Sequence, residues 1–179
     1  MRTIEDQLSN YKSVHFNKLN IKTHFIGIPL IVWAITVLLS LTHFTLTLAD
    51  VSLNFTLAIV LYTIALLYYF KLHVKLGFGM LLYILVNIYL ASLISTMEYA
   101  LWIAIATFIV GWIIQFIGHI YEKAKPAFFD DIMGLVIGPL FLMAEVYFAF
   151  GLEKKLHDDI TPMAVEKRRS LEKKKAEQA

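Results

Sequence analysis

The sequence predicts an all-α membrane protein. It would be a compact bundle of four transmembrane helices plus a broken or re-entrant fifth apolar segment, with a histidine cluster at the cytoplasmic end. Three observations predict this. The 179 residues are 59% hydrophobic and their mean hydropathy is +0.67, far above a soluble domain. The apolar residues fall into five runs, 25–46, 51–70, 76–97, 99–118 and 132–152, each near the ~20 residues that cross a bilayer as a helix. Five of the six histidines (His15, His24, His73, His119 and His157) fall on one side of the resulting bundle, and only His43 on the other.

The first 23 residues are polar and mixed in charge (Arg2, Glu5, Asp6, Lys12, Lys18, Lys22) and lack the apolar core of a cleavable signal. Insertion through the first span is therefore expected. Asp50, the stretch from Lys71 to Lys75, and Glu98 separate the first four spans, with Trp33, Tyr68, Tyr69, Tyr99 and Trp102 as interfacial anchors near their ends. All 16 Lys and Arg lie in the N-terminal stretch, at Lys71 and Lys75, at Lys123 and Lys125, or after Leu152. Four spans put every one of them on the cytoplasmic side, the side that basic loops prefer. That predicts a multi-pass protein with both termini cytoplasmic, in the inner membrane of a bacterium or the endoplasmic reticulum of a eukaryote.

The fifth run carries Gly134, Gly138, Pro139 and Glu145. A proline in a helix removes a hydrogen bond and crowds the preceding turn, so a kinked or re-entrant segment is expected there. The alternative is a fifth full crossing. Residues 1–152 are expected to form the membrane-embedded domain and 153–179 a charged, basic tail. The tail suits water or an anionic lipid surface better than nucleic acid. The absence of cysteine excludes disulfide frameworks and thiolate chemistry.

Chemistry concentrates at the end of the fourth run. Gln115, His119 and Glu122 stand at i, i+4 and i+7, one stripe of a helix. Polar side chains at membrane depth are costly unless they face protein, water or a ligand. His15 and His24 are nine residues apart, opposite faces of a straight helix, so they converge only if the chain turns between them. The segment Asn17-Lys-Leu-Asn20 offers that turn, with Asn20 as a cap, and Gly27-Ile-Pro29 follows where the span begins. Ligands drawn from His15, His24 and His119, with His73 as a further candidate and Glu122 or Asp130 near, suit Fe(II), which imidazole and carboxylate ligands bind with positions left open. Gln115, Asn20 and Asp130 are candidates to orient the imidazoles. The bland alternative makes His119 and Glu122 a capped helix end and the other histidines solvated loop residues. Glu145 has two readings, an intramembrane functional carboxylate or a bond that fixes the broken helix.

These residues carry a resemblance. Tyr11-Lys-Ser-Val-His15-Phe-Asn17-Lys-Leu-Asn20-Ile-Lys-Thr-His24, then Gly27-Ile-Pro29, resembles the N-terminal motif of the small multi-span 2-hydroxy fatty acid dioxygenases. Gly111-Trp112-x-x-Gln115-Phe116-x-Gly118-His119-x-x-Glu122-Lys123-x-x-Pro126-Ala127-x-x-Asp130 resembles their second motif, and Gly138-Pro139 and Glu145 follow in order. The resemblance runs from Tyr11 to Gly151. It implies an iron-dependent oxidoreductase of lipid metabolism. Such an enzyme would use Fe(II) and O2 to α-oxidise a 2-hydroxy fatty acid to the fatty acid one carbon shorter. Carried over by position, it implies His15, His24 and His119 as metal ligands, and Gln115, Glu122 and Asp130 as catalytic-motif residues of unspecified role. Where many members of the family carry an acidic residue near Pro and Gly, this chain has Lys71-Leu-His73-Val-Lys75-Leu-Gly77, so the resemblance leaves a ligand role for that loop open in either direction.

Rival classes remain. A non-enzymatic membrane scaffold or lipid-binding protein needs the same spans but not the paired histidine motifs. Desaturases and hydroxylases use HxxxH and HxxHH boxes, which this chain lacks. An ion transporter needs charges at mid-span, which only Glu145 approaches.

Overall fold

The computed structural model describes residues 2–48, 51–122 and 133–177. Among these the chain forms α1 (Ile4–Lys12), α2 (Lys18–Ser40), β1 (His43–Leu48), β2 (Val51–Thr56), α3 (Leu57–Leu72), α4 (Val74–Ser95), α5 (Ala100–Glu122), α6 (Met133–Ala149) and α7 (Lys154–Glu177). Packing divides it into two units, one of Met1–Phe25 with Gln115–Ala179 and one of Ile26–Ile114.

In the first unit, α1 opens with Thr3, whose hydroxyl accepts from Asp6 N–H at 3.2 Å, with Glu5 and Asp6 in the favourable first turn. Ile4, Leu8 and Tyr11, at i, i+4 and i+7, are its buried stripe. Helix α7 answers with Leu156, Ile160 and Ala164 at four-residue steps, and α1 packs against both α6 and α7. Gly151, at φ +72°, ends α6: Leu152 N–H reaches Tyr147 O and Gly151 N–H reaches Phe148 O, each at 2.9 Å, a left-handed helix stop that side chains with a Cβ adopt at a cost.

Helix α6 continues through Pro139, from Met133 to Ala149, so the helix is not interrupted at that proline. One proline removes one N–H, and burial of Ile137, Gly138, Leu140, Phe141, Leu142 and Ala144 outweighs that loss. Glu145 is not a lone charge, because Lys12 of α1 pairs with it at 2.9 Å.

In the second unit, Val37, Ala91, Ala100 and Ala104 make a small-residue core with Trp33, Leu38 and Ile94 packed against it. Small residues let helices approach closely where lipid gives no hydrophobic drive between them. Thr36 of α2 hydrogen-bonds Tyr62 of α3 and lies 3.2 Å from Asn87 Oδ1 of α4, the polar contacts of three otherwise apolar helices. Among the described residues, three helices are long and apolar enough to cross a membrane, α2, α4 and α5. Their outer faces carry exposed Leu82, Leu85, Ile109 and Ile113, as lipid-facing surfaces do.

The first two runs have different bounds from those expected. Helix α2 ends at Ser40, and β1 pairs antiparallel with β2 from His43 opposite Thr56 to Leu48 opposite Val51. Threonine alternating with apolar residues in His43-Phe-Thr-Leu-Thr-Leu48 favours a strand.

Candidate metal centre

The centre lies wholly in the first unit. His15 follows α1 in a tightened turn, with Val14 N–H on Tyr11 O at 3.3 Å and His15 N–H on Lys12 O at 2.9 Å. Asn17 then starts α2: its side-chain oxygen accepts from Leu19 N–H at 2.8 Å and its carbonyl from Ile21 N–H at 3.0 Å. The cap is therefore Asn17, not Asn20, which lies inside the helix with its amide free for tertiary work. His24 comes one turn after Asn20. The chain reverses between the two histidines, as their spacing requires.

Helix α5 buries Gly111, Gln115, Gly118, His119 and Glu122 and exposes Ile113, Phe116, Ile117, Ile120 and Tyr121. Gly118 sits where a Cβ would come within 2.5 Å of Asn20 Oδ1 and fall on the Thr23 hydroxyl, so α2 and α5 touch through a position only glycine fills.

His15, His24 and His119 are all buried, with ring centroids 4.5 to 5.0 Å apart and one potential ligand atom each, all within 4.8 Å of one another. The hydrogen bonds test whether this trio suits a cation. His15 Nδ1 lies 2.5 Å from Tyr11 O, and His24 Nδ1 lies 2.8 Å from Asn20 O. Carbonyl oxygens only accept, so both Nδ1 atoms carry the proton and both Nε2 atoms carry a lone pair. Those two lone-pair atoms stand 3.0 Å apart. With no proton to share, they repel, and a cation between them removes the conflict. Two donors at right angles about a cation at about 2.1 Å lie about 3.0 Å apart, which matches. Burial pushes the His15 pKa well below its ordinary 6.5, and the neighbouring His24 and His119 lower it further against the Tyr11 carbonyl bond. Its neutral, ligating form is favoured.

The Tyr11 ring stacks on His15 at 4.2 Å and 1°, and Phe141 lies 4.9 Å from Tyr11 and 6.0 Å from His15. Burial also raises the Tyr11 hydroxyl pKa, which keeps it protonated. Lys12 Nζ, paired with Glu145, is 5.9 Å from the Phe141 ring centre.

The Glu122 carboxylate is engaged by protein donors on both oxygens. Its Oε1 accepts from Phe16 N–H at 3.1 Å, and its Oε2 accepts from Asn17 N–H at 2.7 Å and the Asn20 amide at 3.2 Å. Arg168 of α7 donates to Oε1 at 3.3 Å. Glu122 ties the loop after His15 and the start of α2 to the end of α5.

The structure thus brings together His15, His24, His119 and Glu122. Gln115 is buried one turn before His119, and its side-chain oxygen has no hydrogen-bond partner among the described residues. Asp130, Lys123 and Lys125 lie outside the described residues. His73 belongs to the second unit, where it caps α4 by accepting Leu76 N–H on Nδ1 at 3.3 Å. Lys22 is exposed. Arg168 was not singled out by the sequence reading, being one of eight basic residues in the tail. Its only signal is position: it continues the stripe Leu156, Ile160, Ala164 by one more four-residue step.

No solved structure matches the chain. Among curated proteins, the 2-hydroxy-palmitic acid dioxygenase MPO1 of Saccharomyces cerevisiae is 32% identical over 157 residues, covering 86% of this chain and 84% of the yeast protein. A family profile described as 2-hydroxy-palmitic acid dioxygenase Mpo1-like matches residues 1–150, which include all three histidines and Glu122. The histidine-bearing loop, the buried stripe of α5 and the helices that hold them all fall within that match, and the chain belongs to the Mpo1-like family.

Proposed function

We propose that the protein is an Fe(II)-dependent dioxygenase that α-oxidises 2-hydroxy fatty acids. The balanced reaction is R–CH(OH)–COOH + O2 → R–COOH + CO2 + H2O, which shortens the chain by one carbon. One observation carries the metal part: two buried imidazoles whose lone-pair nitrogens face each other at 3.0 Å, with a third imidazole beside them. Likeness to the yeast dioxygenase supports the reaction class.

In this reading His15, His24 and His119 hold the iron, which supplies Lewis acidity and a place for O2 to react. Three neutral ligands leave the charge of the cation uncompensated, which favours an anionic substrate such as a hydroxy acid. The Tyr11 and Asn20 carbonyls fix two rings in the ligating tautomer. Tyr11 and Phe141 give the His15 side of the site an apolar wall that excludes water. Glu122 holds the His15 loop. Gln115 and Asp130 are assigned to the same machinery by motif position. Apolar outer faces on α4 and α5 suit a substrate already dissolved in lipid. We place both termini on the cytoplasmic side, with α2 to α5 as the crossings.

Detergent-purified protein supplied with Fe(II) and 2-hydroxypalmitate is expected to bind near-stoichiometric iron, consume O2 and form the acid one carbon shorter. His119→Ala should insert normally and lose the activity. Folded protein with neither iron nor product would favour a non-enzymatic lipid-binding role and sink this proposal.

A further inference from the structure

We propose that Arg168, in the C-terminal helix beyond the family match, is a positioning residue for the three-histidine site and acts through Glu122. The metal half of this inference rests on the reading above; the mechanical half does not.

The family profile ends at residue 150 and α7 begins at Lys154. Helix α7 docks on α1 by Leu156, Ile160 and Ala164, and Arg168 is the next position on that stripe. Lys167 beside it donates to Ser9 Oγ at 2.7 Å and Asp6 O at 3.3 Å, which fixes the register of α7 on α1. Arg168 Nη1 donates to Ser13 O and to Glu122 Oε1, Nη2 donates to Glu122 O, each at 3.3 Å, and Nε donates to Glu172 at 2.7 Å.

Those partners connect the segments that carry His15, His24 and His119. Ser13 precedes His15 by two residues. The carboxylate that Arg168 neutralises receives the N–H groups of Phe16 and Asn17, just after His15. The same carboxylate receives the amide of Asn20, whose carbonyl fixes His24. Glu122 itself lies one turn after His119 on α5. The Glu122 side chain is only 2% exposed. A carboxylate that buried, holding three neutral donors, still needs a countercharge, and Arg168 supplies it. The guanidinium presents its donors in a fixed planar fork, a geometry that the single ammonium of a lysine does not reproduce.

The test uses full-length protein in detergent as wild type, Arg168→Met, Arg168→Lys, Glu122→Gln, the double variant Glu122→Gln/Arg168→Met, and Arg169→Met as an exposed control. Two readouts are taken: amide hydrogen exchange at Phe16 and Asn17, and titration with Co(II) as a spectroscopic probe for the site. Arg168→Met is expected to speed exchange at both amides and weaken Co(II) binding roughly 10- to 100-fold. Arg168→Lys should recover part of each, and Arg169→Met should match wild type. Adding Arg168→Met to Glu122→Gln should change little further, because the arginine acts through that carboxylate. Wild-type exchange in Arg168→Met overturns the proposal. So does faster exchange with unchanged Co(II) affinity and spectrum, which would mark Arg168 as merely structural. If wild type itself binds no Co(II), the metal reading fails and positioning for a metal fails with it. Exchange at Phe16 and Asn17 would then still decide whether Arg168 clamps the loop.

Discussion

His15 is constrained on three sides before any ligand arrives. The Tyr11 carbonyl holds Nδ1, the Tyr11 ring covers one face, and His24 and His119 stand at its edge. Burial is the largest reason that its pKa lies well below the 6.5 of a free imidazole. A group whose folded pKa is depressed binds a proton more readily in the unfolded chain. Its contribution to stability is therefore complete above pH 6.5 and is lost as pH falls from there toward the folded pKa. The thermal midpoint of metal-free protein is expected to fall with acid in that window, and the fall should be smaller in His15→Asn. Equal acid slopes in His15→Asn and wild type would show that His15 titrates normally. The same depressed pKa favours metal uptake at neutral pH, because this ligand has no proton to release.

Between elements, the critical contact is α2 against α5 at Gly118. A methyl group there meets Asn20 and Thr23, which are anchored to their own helix: Asn20 binds Glu122 and Thr23 donates to Asn20 O at 2.7 Å. Gly118→Ala is expected to cost about 1–3 kcal/mol by overpacking. It should also push His24 away from His119, so Co(II) binding at the three histidines weakens along with the unfolding midpoint, whereas Ile117→Ala on the exposed face should leave Co(II) binding unchanged. A Gly118→Ala protein that binds Co(II) like wild type would mean that the interface yields without moving the histidines. The polar stripe of α5 was readable in advance because glutamine, histidine and glutamate stand at helical spacing in an otherwise apolar helix, whereas its contact with α2 at Gly118 was not. The turn between His15 and His24 was readable too, since nine residues of straight helix would have kept them apart. The hairpin at 43–56 was hidden because an apolar run has the same hydropathy whether it alternates or spirals. Arg168 was hidden for a different reason: its partners are 46 and 155 residues away, and a basic tail gives no hint which charge turns inward.

At the scale of the whole chain, the first unit limits how many times the protein crosses the membrane. It contains α1, the end of α5 and α7, with Lys167 on Ser9 and Arg168 on both Ser13 and Glu122. On the proposed reading these bonded segments share one side of a bilayer, and the crossings between residues 25 and 115 would then be even in number. Length and composition alone pick out α2, α4 and α5, of which α5 closes the series, and three is odd. Helix α3, crossing as proposed above, would restore parity. Its 16 residues make about 24 Å of helix against a core of about 30 Å, a mismatch that local thinning and interfacial side chains accommodate. Crossing at α3 also returns Lys71 and Lys75 to the side of the basic tail, as the charge rule prefers. The chain has no cysteine, so single introduced thiols report sidedness without background. In intact cells, Ser52→Cys in the hairpin is expected to react with a membrane-impermeant maleimide. Ala176→Cys in α7 should react only after the membrane is opened. Labelling of both in intact cells would mean three crossings and an external tail, and would require the contacts of α1 with α7 to form across the bilayer, which they cannot do. That result would overturn the four-crossing arrangement and the docking of α7 together.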